Sequence, residues 1–185
     1  MKNLSEVKES IIAAAEKHFS VLGFEKTTLD DISAENGKSK TSVYYHFKNK
    51  HDIFKAVIEK EFRELKDTLD PLVSVHRSSG PEMMRSYLRK RLESMASMGA
   101  YGWFAASRFA NTDNLVSRAV NSARKSFDEW ELSFFSGSAL EGVPGQIFAE
   151  TLSNILRALE HQYFTSRDKA AVRNTYEGLI EMVIR

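Results

Sequence analysis

The chain has 185 residues, no cysteine, and 26 basic against 25 acidic side chains, a formal charge of +1. That length suits one domain of ordinary size or a small domain fused to a larger one, and 42% hydrophobic residues with 11% aromatics suffice for a buried core. Without cysteine there is no disulfide scaffold, thiolate zinc site or cysteine nucleophile, and a reducing, cytoplasmic setting fits. Met1 to Ser10 is polar, with no apolar signal-peptide core, and nowhere do about eighteen apolar residues run together, so no membrane span is expected. Near neutrality gives no global sign of nucleic acid, so any basic site must be local.

Apolar residues recur at spacings of three and four and strict alternation is missing, which predicts an all-α protein. The first helix is expected from Ser5 to Leu22, burying Val7, Ile11, Ile12, Ala15, Phe19 and Leu22, with Gly23 as its stop. A short second helix starts at Thr28, with Asp31 completing a capping box, and ends near Gly37. A third starts at Ser39 and turns Val43 and Phe47 inward. A fourth begins near Asn49 and runs through Leu69 to a break at Pro71. Ser74 to Pro81 reads as a loop, and helices follow over 81–98, 102–111, 114–136, 145–165 and 168–184. Gly99–Gly102 reads as a helix break rather than a phosphate cradle.

The segment Thr27–Lys50, TTLDDISAENGKSKTSVYYHFKNK, carries the chemistry. Two helices of about two turns, separated by Gly37 and a serine cap, have the spacing of a helix-turn-helix. Ile32, Val43 and Phe47 pack the pair together, which leaves Lys40, Thr41, Ser42, Tyr44, Tyr45 and His46 on the free side of the third helix. Between Lys38 and Lys55 five lysines meet one acid, Asp52, a local balance of +4. Lysines so placed neutralise phosphates and release counterions, while tyrosine and serine hydroxyls add neutral phosphate hydrogen bonds.

Thr27-Thr28-Leu29, Asp31-Ile32, Gly37, Ser39-Lys40 and Tyr44-Tyr45-His46-Phe47-Lys48-Asn49-Lys50 resemble the DNA-binding region of TetR-family transcriptional regulators. The motif covers about the first 55 residues. Ser33 and Asn36 stand where that family prefers alanine, and Lys38 stands where a buried valine is common; Lys38 either snorkels or reaches DNA. The resemblance implies a helix-turn-helix domain over 1–50 and a helical regulatory and dimerisation domain over 51–185, linked by the helix at 49–70. It implies that Thr28 contacts a phosphate at its helix N-terminus. Ser39, Lys40, Thr41 and Ser42 face base edges or nearby phosphates, Tyr44 and Tyr45 the backbone, His46 backbone or base, and Lys50 another phosphate. The partners implied are double-stranded DNA with a near-palindromic operator, a second copy of the chain, and a small apolar or amphipathic ligand that releases a repressor.

Beyond residue 80 the chain is rich in aromatics and methionine. Met84, Tyr87, Arg91, Met95, Trp103, Phe104, Arg108, Trp130 and Phe134 are the candidate lining of a ligand pocket, although apolar residues at helical spacing also make ordinary core. The last two helices present Leu152, Ile155, Leu156 and Leu159, then Tyr176, Leu179, Ile180 and Val183, which are expected at a four-helix dimer interface. No HExxH, Walker or GxSxG motif occurs, and Glu160-His161 lacks a ligand set. No catalytic residue, metal or cofactor is expected. The rival to a ligand-responsive regulator is a DNA-bound helical adaptor that recruits a protein without a small-molecule inducer.

Overall fold

The computed structural model describes residues 4–75, 81–111, 114–137 and 143–183, without the side chains of Ser74, Val75, Arg108, Asn111 and Val183. All regular elements among the described residues are helical: α1 (Leu4–Lys26), α2 (Leu29–Glu35), α3 (Lys40–His46), α4 (Lys50–Val75), α5 (Pro81–Ala96), α6 (Gly99–Ala106), a 3-10 turn (Arg108–Asn111), α7 (Leu115–Ser136), α8 (Gly145–Thr165) and α9 (Lys169–Val183). The chain forms two compact units, Met1–Phe62 with Met98–Arg124, and Arg63–Ser97 with Lys125–Arg185.

Helix ends follow side-chain chemistry. Thr28 and Asp31 form a reciprocal capping box on α2, and Ser39 accepts the Ser42 amide to start α3. Asn49 Oδ1 takes the Asp52 amide at the head of α4, Asn114 Oδ1 takes two amides at α7, and Asp168 takes the Ala171 amide at α9. Gly23 interrupts α1 at φ 77° and ψ 172°, a region open essentially to glycine. A Cβ there would lie 1.9 Å from Trp103 Nε1, so sterics demand glycine a second time.

Two expectations at helix ends are corrected. α4 does not break at Pro71 but runs on to Val75. Pro71 lies in the final turns with its ring exposed, so the loss is confined to one backbone hydrogen bond near a helix end. The Gly99–Gly102 stretch is the first turn of α6, not a break; the break lies just before it, at Ser97–Met98. Glycine is needed because α6 presses on α1, where a Cβ on Gly99 would meet Ser20 Oγ at 2.3 Å. The expected loop at 74–81 falls mostly outside the described residues.

The first unit is built on Ile11, Ala15, Phe19, Ile32, Val43, Ile53 and Phe54, all fully buried. Phe54 takes Phe19 edge-on at 5.0 Å and Phe24 at 5.3 Å. α6 has no side-chain cap of its own. Glu61 of α4 supplies one, its buried carboxylate accepting the Ala100 amide at 2.9 Å and the Tyr101 amide at 2.8 Å. Those are the donors that a helix leaves unsatisfied at its start.

The second unit encloses charge. Arg91 on α5 is fully buried; its Nε meets Glu131 of α7 at 2.5 Å and its Nη2 meets Glu160 of α8 at 2.5 Å. The Tyr87 hydroxyl donates to Glu131 at 2.7 Å. Arg91 Nη1 and the Tyr176 hydroxyl of α9 face one another without a well-formed hydrogen bond.

Burial pushes the Glu61 carboxyl up to about 7, although the two amides and Lys60 pull the other way. Folding therefore favours the protonated form relative to the unfolded chain. Stability from this group is complete below its ordinary value near 4.5 and is lost as pH rises through about 7. Chemical denaturation at a series of pH values is expected to show a decline between those limits approaching about 3 kcal/mol. Glu61→Gln is expected to flatten that decline, and carbon-detected NMR is expected to find the Glu61 midpoint near neutrality.

Candidate nucleic-acid interface

The turn between α2 and α3 is made by Asn36 and Gly37, the latter at φ 65°, with the Lys38 amide returning to Ser33 O at 3.0 Å. Ile32 and Val43 are buried between the helices and Phe47 closes α3. Burying Val43 and Phe47 fixes the rotation of α3 and turns its other side outward. Lys40, Thr41, Tyr44 and Tyr45 are exposed, Tyr45 by 74%; Ser42 and His46 are half-buried. Tyr45 and His46 stack edge to face at 5.2 Å. A large tyrosine in water at a helix surface offers both a ring and a hydroxyl to a partner.

Four of the residues expected at DNA, Thr28, Ser39, Lys40 and Lys50, have polar atoms engaged within the fold, Ser39 as the cap of α3. Thr28 Oγ accepts the Asp31 amide at 3.2 Å and donates to Asp31 Oδ2 at 2.7 Å. The Thr28 hydroxyl and the Thr28 backbone amide, both donating to Oδ2, hold the Asp31 carboxyl below its usual value. The Lys50 ammonium donates to Phe24 O at 2.7 Å and Thr27 O at 2.9 Å, and reaches Glu25 O at 3.4 Å. It lies 4.4 Å from the Phe24 ring centre. Burial lowers its pKa, with Glu25 opposing. Lys40 reaches back to Asp30 of α2, with Nζ–Oδ1 at 2.7 Å and Nζ–Oδ2 at 2.8 Å. That hydrogen bond raises the Lys40 pKa.

The candidate pocket residues divide between the units. Met84, Tyr87, Arg91, Met95, Trp130 and Phe134 belong to the second, where Tyr87 lies 4.8 Å from Phe134 and 6.3 Å from Trp130. Trp103 and Phe104 belong to the first, with Trp103 edge-on to Phe54 at 6.0 Å. The Arg108 side chain lies outside the described residues. Arg91, expected to offer a polar group to a ligand, has Nε and Nη2 committed to carboxylates. An open groove of about 300 Å³ lined by Thr68, Pro71, Leu72, Ser86, Arg89, Lys90 and Glu93 contains none of the expected pocket residues.

Of the expected dimer residues, Leu152, Leu156, Leu159, Tyr176 and Ile180 are buried within the chain itself. Ile155 is 39% exposed, Leu179 is half-buried, and the Val183 side chain lies outside the described residues. The residues that sequence reasoning missed are the buried acids Glu61, Glu131 and Glu160 and the Asp30 partner of Lys40. A signal for the buried acids exists: Val57-Glu61-Leu65 and Phe127-Glu131-Phe135 place a carboxylate in the middle of an apolar i, i+4 row.

The two capped helices, their glycine turn and the outward face of α3 define a helix-turn-helix DNA-binding domain. Residues 11–57 match the family of bacterial regulatory proteins called the tetR family. Over those residues the N-terminal domain of this chain is similar to that family. It is 41% identical over 63 residues to the biofilm operon negative transcriptional regulator IcaR of Staphylococcus epidermidis, covering 34% of either chain. It is 34% identical over 92 residues to the transcriptional regulator RutR of Escherichia coli, covering 49% of this chain and 42% of that one. These matches thus span between about a third and under half of those relatives' lengths.

Solved structures share the fold across nearly the whole chain. A TetR-family regulator from Mesorhizobium loti superposes with a TM-score of 0.76 at 17% identity, covering 98% of this chain and 96% of that one. The regulator FadR of Bacillus subtilis, solved in complex with stearoyl-CoA, gives 0.74 at 15% identity, covering 95% and 97%. Among the described residues no helix is long and apolar enough to cross a membrane, and no group of three or more His, Asp or Glu side chains could hold a metal ion.

Removing one member of the Arg91 triad leaves its partners charged in a dry interior. Arg91→Met is expected to cost about 3–5 kcal/mol in urea denaturation. Replacing all three together, Arg91→Met with Glu131→Leu and Glu160→Leu, is expected to recover most of that loss, because no unpaired charge remains.

Proposed function

We propose that this chain is a cytoplasmic, dimeric DNA-binding transcriptional regulator, a repressor released from its operator by a small apolar or amphipathic ligand. Residues 1–50 read DNA and residues 51–185 carry regulation and dimerisation, with the N-terminal part of α4 joining them. The observation that carries the reading is the outward face of α3, where Thr41, Tyr44, Tyr45 and the Asp30-paired Lys40 are exposed on a helix locked in rotation by Val43 and Phe47. Ser39, Ser42 and His46 flank that face. Thr28 and Lys50 meet phosphates at the edge of that face, and their contacts within the fold hold α2 and α4 in place for it. Two copies related by a two-fold axis would present their α3 helices about 34–36 Å apart, or at a multi-turn equivalent, to a near-palindromic site.

The dimer surface assigned here is the outward side of α8 and α9. Ile147 (57% exposed), Ile155 and Ala158 lie along one helix, and Ala171, Gly178 and Met182 (78% exposed) along the other. A Cβ on Gly178 would meet nothing within 4 Å, so the chain's own packing does not require glycine there. A close partner helix would. The aromatic group around Tyr87 supports an apolar ligand in the second unit, and the stearoyl-CoA complex of the FadR neighbour supports an amphipathic one. One observation favours the rival adaptor that recruits a protein: complete burial of Arg91 between two carboxylates fills the interior where a ligand would lie.

Selection from random duplexes by the purified protein, followed by footprinting with and without long-chain acyl compounds, tests the reading. A near-palindromic site whose occupancy falls with ligand is the expected result; an occupied site that no ligand shifts supports the adaptor. Light scattering is expected to find Ile155→Glu folded but monomeric. Leu156→Glu is expected to unfold the chain instead, since that residue is wholly enclosed in its own unit.

A further inference from the structure

Lys40 is the first residue of the recognition helix, α3. Its charge is not free. Asp30, in the first turn of α2, holds the ammonium at 2.7 Å from one carboxylate oxygen and 2.8 Å from the other. Asp30 and Asp31 both lie in that first turn, and Asp31 is committed to the capping box, which leaves Asp30 as the carboxylate directed at α3. Both members of the pair are more than half exposed, so the contact is formed in water, on the face that the domain turns to DNA.

We propose that Asp30 is a specificity-determining positioning residue, which neutralises and aims Lys40 so that this lysine reads a base edge instead of serving as a phosphate clamp. The inference rests on the DNA-binding reading above. A lysine paired with a carboxylate releases few counterions when it meets a phosphate, because its charge is already compensated. It still keeps N–H donors beyond those given to Asp30, and an ammonium can donate to the O6 and N7 acceptors of guanine. Non-specific binding is almost wholly electrostatic, whereas a base contact is made only at the right sequence. Tying Lys40 to Asp30 therefore withholds one cation from every duplex while keeping its donors for the correct one.

The test compares wild type, Asp30→Asn, Lys40→Met and the double variant on two probes: a duplex that the wild-type protein selects from random sequence, and a random duplex. Circular dichroism checks that each variant is folded. Asp30→Asn frees the ammonium, so its log–log salt slope on the random duplex is expected to steepen by about one unit. The affinity lost between about 50 and 200 mM salt then grows by roughly a factor of 3.5, and preference for the selected duplex falls. Adding Lys40→Met is expected to abolish that gain. Lys40→Met alone is expected to weaken the selected duplex with its salt slope unchanged.

An Asp30→Asn protein indistinguishable from wild type overturns the assignment. So does a gain that persists in the double variant, since then any lost acid near DNA would do. A Lys40→Met slope shallower by one unit on the selected duplex also overturns it, by making Lys40 a phosphate clamp. A wild-type chain that binds no duplex overturns the regulator reading itself, and this inference with it.

Discussion

The geometry of the DNA-reading domain hangs on one ammonium group. Gly23 turns the chain sharply at the end of α1, and the carbonyls of Phe24, Glu25 and Thr27 are left pointing at the head of α4. A helix end so buried must find donors for its carbonyls, and Lys50 supplies them from a single side chain. Because Lys50 is the first residue of α4, the contact closes a frame around the α2–α3 pair, from the end of α1 to the start of α4. Thr27 adds its hydroxyl to Gly23 O at 2.8 Å inside the same frame. The lysine's ordinary preference for water is overcome by carbonyl dipoles and the Phe24 ring, which together replace its hydration.

The same requirement, that buried charge find protein partners, organises both units. In the first, Glu61 is removed from water and recovers two amides at the start of α6; desolvation still outweighs them, which is why its carboxyl titrates near neutrality. In the second, burial works against the charged form of Arg91, but Glu131 and Glu160 outweigh it and raise the guanidinium's pKa. The triad draws on α5, α7 and α8, and Tyr87 and Tyr176 crowd it from α5 and α9. Buried triads of this kind add little net stability over apolar packing of the same volume. Their effect is on uniqueness: a shift of any one helix along its axis would strand a charge.

What the sequence made legible follows from where the controlling interactions are local. Thr28 with Asp31, Ser39 with Ser42, and Gly37 at positive φ are set by residues within three or four positions, and the helix-turn-helix was readable from them. Val43 and Phe47 announced the inward face of α3 by spacing. Reading went astray where partners are distant. Gly99 and Gly102 looked like a break because the Ser20 surface that α6 presses against is 79 positions earlier than Gly99 in the chain. Lys50 also holds carbonyl partners 23 to 26 positions away, which local spacing could not announce. The apolar rows of α8 and α9 were visible, but spacing cannot say whether a row meets its own chain or another. Leu156 and Ile180 are wholly buried in their own chain, while Ile155 is 39% exposed.

From Thr27 to Lys50 there are four lysines and three acids. Lys50 is consumed by the frame, Lys40 is paired with Asp30, and Glu35 is paired with Lys17 of α1 at 2.6 Å. Lys38 and Lys48 are left as the segment's uncommitted cations. Each cation brought to a phosphate contributes a log–log salt slope of about 0.9, so two per domain give only a shallow electrostatic attraction. On the regulator reading, affinity must then come from neutral donors on α3, from Tyr44, Tyr45, Thr41 and Ser42, and from doubling the domain on one site. Such contacts are short-ranged and need the right groove shape and sequence, unlike a broad positive field. On that same reading a weakly charged head would trade non-specific grip for discrimination, and a second copy would be the means by which modest half-site contacts add up to occupancy.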